Sequence, residues 1–161
     1  MADADRLRPW RTHCHSRRHT RCWRQGGRGG AVPGGAGVPT FQVDRSNNRI
    51  QVFRPDGTYV RELFIAREVR TPTGTAVTMT FSPDRQQRFL HVASGDQRIR
   101  ILDRQTLQVI GTIGRLGHYA GQCHHITDLA VDSQGNLYAS ENEGRRVQKF
   151  VFKGLSTTSR Q

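Results

Sequence analysis

From residue 41 onward, apolar and polar residues alternate in short runs separated by turn-forming clusters. Arg49 to Phe53 reads Arg-Ile-Gln-Val-Phe, a strand with one buried face. Pro55-Asp56-Gly57 is a tight turn, and Thr58 to Phe64 returns as the next strand. Thr75 to Phe81, Phe89 to Ala93, Arg98 to Leu102 and Leu107 to Ile113 predict four strands joined by short turns. Ile126 to Val131, Asn136 to Ser140 and Arg146 to Phe152 predict three more. Phe41 to Val43 is a strand cut short, and 66–74 and 114–125 are longer loops.

The pattern recurs. A polar turn ending in Arg precedes an alternating run at Arg49, Arg98 and Arg146, spaced 49 and then 48 residues apart. A period of that size points to stacked sheet units. The expected fold is therefore all-β, a partial β-propeller of four-stranded antiparallel blades. Residues 41–65 and 126–153 form partial units and 75–113 a complete one, about two and a half in all. Too few to close a ring, they expose blade faces to self-association and point to a fragment of a larger assembly. The simplest role for the three arginines is structural. Each pins its turn through a carbonyl or a nearby acid such as Asp44, Asp96 or Glu141.

Residues 1–40 break the pattern. They are rich in Arg, Gly, His, Cys and Trp, show no strand or helix period, and predict disorder. Eight Arg against Asp3 and Asp5 give this quarter of the chain half of the net charge of +12. Three readings stand beside one another. The segment lies outside the native reading frame, or it is a basic arm that stacks Trp10 and Trp23 on nucleobases, or it is a zinc clip from His13, Cys14, His15, His19 and Cys22. The spacing of that cluster fits no finger. Residues 154–161 read as a polar tail. The three cysteines form no disulfide framework, and no apolar run is long enough for a membrane span or a secretion signal.

Two stretches carry a family likeness. Residues 126–140, Ile-Thr-Asp-Leu-Ala-Val-Asp-Ser-Gln-Gly-Asn-Leu-Tyr-Ala-Ser, followed by Arg146-Val147-Gln148-Lys149-Phe150, resemble an NHL repeat, as does Asp44 to Phe53. The likeness covers 41–153. It implies a six-bladed propeller of the bacterial exported type, so a periplasmic or extracellular location, and it is distantly similar to the peptidyl-hydroxyglycine amidating lyases. The role it implies is a binding module that presents loops between blades to a protein or another ligand. The alternative is a remnant of a metal-dependent lyase, the one case in which zinc or calcium is expected; otherwise no cofactor is. The lyase group carries a histidine at the strand start, where this chain has Ile126 and Thr127, and Ala76 and Val77 in the middle unit. A second alternative is a basic nucleic-acid binder, although nucleic acid is not an expected partner.

The densest cluster of chemically capable residues is on the loop 117–125. His118, Tyr119, His124 and His125 are the candidate ligand-binding residues, with Cys123 as a candidate thiol. His91, alone within an apolar strand, reads as a packed residue, and Asp84, Asp103 and Asp132 read as turn caps.

Overall fold

The computed structural model describes residues 20–23, 39–71 and 74–153. Eleven strands carry these residues. The first four are β1 (Thr20–Trp23), β2 (Thr40–Asp44), β3 (Arg49–Phe53) and β4 (Tyr59–Phe64), hydrogen-bonded in that order. Next come β5 (Ala76–Phe81), β6 (Phe89–Ser94), β7 (Ile99–Asp103) and β8 (Val109–Ile113), again in sequence order. The last three are β9 (Ile126–Val131), β10 (Leu137–Glu141) and β11 (Arg146–Phe150), with β10 in the centre. The ladders with a recorded register are all antiparallel.

The expectation of an all-β fold holds. The partial β-propeller does not. The strands form three separate antiparallel sheets, and no sheet closes or curls into a propeller blade arrangement. Period-2 alternation decides which face of a strand is buried and where a hairpin turns. It does not encode how whole sheets are arranged, so propeller and repeat were over-read from hairpin spacing. Nor are the sheets copies of one unit. The first completes itself with β1, from a segment expected to lack structure, and the third has three strands. The remaining readings of residues 1–40 turn on side chains outside those described, and the tail 154–161 lies outside the described residues.

The chain divides into two compact units, residues 1–76 and 77–161. In the first, Phe41, Val43, Ile50 and Val52 are buried on one face of β2 and β3. Asn48 ends the 3-10 turn Arg45–Asn47 in left-handed backbone (φ 57°), which Asn tolerates. Its carbonyl accepts from Ile65 N at 2.7 Å and its side-chain oxygen accepts from Thr75 N at 2.7 Å. One residue thus fastens both ends of the 65–75 connection.

In the second unit the β5–β8 and β9–β11 sheets share one core. Val77, Ala93 and Ile99 from one sheet meet Ile126, Leu129, Leu137 and Ala139 from the other, with the buried Cys123 beside them. Thr78 Oγ1 donates to Asp128 Oδ1 at 3.1 Å, tying β5 to β9. Along β6 the residues of one face are Phe89, His91 and Ala93. Ala93 sits in the core. Two and four residues back, His91 and Phe89 line an opening.

Candidate functional site

That opening is a cleft of about 220 Å³. The turn from β5 to β6 supplies Ser82, Pro83, Asp84 and Arg88; β6 supplies Phe89 and His91. The turn after β9 and Phe152, beyond β11, form the facing wall.

Each wall is built by a turn that satisfies its own polar groups. Ser82 Oγ donates to Asp84 Oδ1 at 2.5 Å and accepts from Phe89 N at 3.0 Å. Arg88 Nε donates to Asp84 Oδ2 at 3.2 Å, and its guanidinium sits 5.5 Å from the centre of the Phe89 ring. Burial works against the Asp84 charge, but bonds from Ser82 and from the Arg88 backbone and side chain outweigh it, so the carboxyl lies below its ordinary value. On the other wall Asp132 accepts from Gln134 N, Asn136 N, Asn136 Nδ2 and Tyr138 Oη. The buried Asn136 in turn accepts from Phe152 N at 3.1 Å, which fixes where the chain leaves the sheet. Gly135 has φ 86°, and a Cβ there would stand 3.2 Å from the Phe152 ring. Glycine therefore lets the turn pass under that ring.

His91 is the unusual group. Burial pushes its imidazole below the ordinary value, partly offset by a hydrogen bond to the Thr80 backbone. It is neutral at neutral pH. Its Nδ1 is buried and has no partner. A buried ring nitrogen without a partner is uncommon and costs desolvation energy. The sequence reading took His91 as a packed residue; the structure adds that it also lines the cleft. The available signal was a titratable residue on the inward face of a strand, flanked by two acid-capped turns.

The loop of candidate residues is organised differently from expectation. His118 and Tyr119 are exposed, Tyr119 at 80%. His124 Nε2 and His125 Nδ1 both meet the carboxylate of Glu143, at 2.9 Å and 3.2 Å. The His118 and His124 rings meet edge-on, with centres 4.5 Å apart. Cys123 is buried, and desolvation together with Glu141 pushes its thiol up to about 11, so it is no activated nucleophile. Among the described residues, no group of three or more His, Cys, Asp and Glu is placed to hold a metal ion. The metal-dependent lyase reading thus finds no metal site among the described residues. The nucleic-acid reading leaned on residues 1–40, of which only 20–23 and 39–40 are described.

What holds the loop is Arg146. Its guanidinium donates to the carbonyls of His118 (2.5 Å), Gln122 (2.7 Å) and Tyr119 (3.3 Å), while Nε faces Glu141 at 3.3 Å. Gln148 Nε2 donates to Gln122 O at 2.6 Å and to Glu141. Glu141 also accepts from His124 N at 2.9 Å. In the first unit Arg49 meets Asp44 at 2.9 Å and Glu62 at 2.8 Å. Arg98 departs from the pattern: its side chain is exposed, and Arg100 pairs with Asp96 at 2.7 Å instead.

No family model matches the chain, and no curated protein matches it. A module that engages a protein or other ligand through propeller loops is corrected along with the propeller: without blades there are no inter-blade loops or open blade faces to bind or self-associate. Among the described residues no helix is long and apolar enough to cross a membrane.

Proposed function

We propose that residues 77–153 form a small-molecule-binding module whose ligand occupies the cleft beside His91. One observation carries the reading: a cleft between two sheets, walled by Phe89, Phe152 and Pro83, with Arg88 and His91 among the residues that line it. Concave, mostly apolar sites with a few polar groups are the usual form of small-ligand sites.

The role is binding and not catalysis. Ser82 Oγ is committed to Asp84, and Asp84 is held charged by several donors, so neither is free as a nucleophile or a proton carrier. The test is an amide NMR titration of the full chain with a panel of single-ring compounds. Shifts should cluster at Phe89, His91 and Gly135 and vanish in His91→Phe, whose larger ring replaces the imidazole. Shifts confined to other regions refute the reading.

A further inference from the structure

We propose that the outward face of the first sheet is a platform for a neutral oligosaccharide, a second site independent of the cleft in residues 77–153.

The face follows from register. Phe41, Val43, Ile50 and Val52 turn inward, so alternation leaves Gln42 of β2 and Arg49, Gln51 and Phe53 of β3 on the other side. Residues directly opposite share a face, which adds Tyr59, Glu62 and Phe64 of β4. Three rows result. At one end Phe53 stands opposite Tyr59, with ring centres 5.9 Å apart and planes nearly perpendicular at 74°. In the middle Gln42, Gln51 and Glu62 stand side by side across three strands. At the other end Arg49 stands opposite Phe64. The two end rows are separated along β3 by about 13 Å, the length of a short chain of linked rings.

Each row supplies something a sugar chain uses. Tyr59 and Phe64 are 51% and 38% exposed, so neither ring is packed away. An aromatic face offered to solvent is a seat for the flat C–H face of a sugar ring. Gln42 and Gln51 are partly exposed, and among the described residues their side-chain amides have no hydrogen-bond partner. A carboxamide carries both donors and acceptors, as the hydroxyl rim of a sugar does.

Charge and shape exclude other occupants. Arg49 is held by Asp44 at 2.9 Å and Glu62 at 2.8 Å. Arg67 leans over the Phe64 ring, 4.5 Å from its centre. Two acids thus balance two cations on this face. A nucleic-acid strand needs a track of cations for its phosphates and would meet the Glu62 carboxylate in the middle row instead. An amphipathic helix needs an apolar groove, and the middle row is polar. An uncharged chain of hydroxylated rings fits aromatic seats at the ends and amides between them.

The test is an amide NMR titration of the full-length protein with cellohexaose, mannohexaose and chitohexaose, and with hexathymidylate as the anionic comparison. At least one of the sugars should shift the amides of Gln42, Gln51, Phe53 and Tyr59 at millimolar concentration, and hexathymidylate should not. Tyr59→Ala, at a half-exposed side chain, should weaken that binding about tenfold, whereas Tyr59→Phe, which keeps the ring, should stay within about twofold. Gln51→Ala should weaken it about fivefold, the share of one hydrogen bond. If none of the sugars shifts these amides at several millimolar, or if binding is unchanged in both Tyr59→Ala and Gln51→Ala, the platform is refuted. Shifts at these amides with hexathymidylate in place of the sugars overturn the neutral class and assign the face to nucleic acid.

Discussion

Replacing Arg146 by Met keeps most of the aliphatic stem and removes the fork that holds loop 114–125 to β10 and β11. The two short bonds, to His118 O and Gln122 O, are each worth roughly 1 kcal/mol net, since the freed carbonyls can turn to water. The longer contact to Tyr119 O adds little. Glu141 is the costlier loss, because its side chain is fully buried. Breaking a buried ion pair typically costs about 3–5 kcal/mol, but Glu141 keeps the bonds from His124 N and Gln148, so about 1–2 kcal/mol is the share expected here. The sum is about 3–4 kcal/mol. Urea unfolding of the full chain, followed by far-ultraviolet circular dichroism, measures it. Hydrogen exchange locates it: the amides of Gly117, Cys123 and His124, bonded to Cys123 O, Arg115 O and Glu141, should lose protection before those of β6 and β7. Val147→Ala, at a side chain 65% exposed, is the control and should change stability by less than about 0.5 kcal/mol. If Arg146→Met costs no more than that control, or the loop amides keep their protection, the clamp does not hold the loop.

Three further outcomes are expected. Gly135→Ala should be more destabilising than Gly57→Ala: both have φ near 90°, but the new methyl group meets the Phe152 ring at position 135 and open space at 57, so chemical denaturation should show a gap of about 1 kcal/mol or more between them. The His91 imidazole is held below 6.5, so the unfolded chain takes up its proton first; this contribution to stability is intact above pH 6.5 and fades as pH falls through the lowered native value. Urea midpoints from pH 8 to pH 5 should therefore decline less steeply in His91→Phe than in the parent, and parallel curves would refute the assignment. At pH 8 native Cys123, with its thiol near 11, should resist iodoacetamide and react only in urea; rapid labelling in the native state, mapped by peptide mass, would contradict its burial.

Hairpins were legible in the sequence because alternation and turn chemistry are local. β3 and β9 occupy the residues that the pattern marks, and most other strand ends shift by a residue or two. β8 starts later than its apolar run because Leu107 is buried within the turn itself, in left-handed backbone at φ 62°. β1 carries no alternating apolar run, and its pairing with β2 bridges a long stretch of chain, so no local rule announces it. Two of the three arginine anchors were legible because acid and base face each other across a hairpin. The middle one failed because the acid there, Asp96, lies within the turn, and a side chain four residues on reaches it more directly than Arg98. The hold of Arg146 on carbonyls 24 to 28 residues away, and the cleft beside His91, depend on how separate strands pack. Neither leaves a trace in spacing.

Asp44 lies directly opposite Arg49, and Glu141 directly opposite Arg146, at the first rung of their ladders. A slip of one rung turns every side chain of a strand to the other face. Here it would also strand a buried or nearly buried carboxylate without its cation. Misaligned hairpins are thus penalised by charge as well as by greasy mismatch, and each turn checks its own alignment through contacts local to its hairpin.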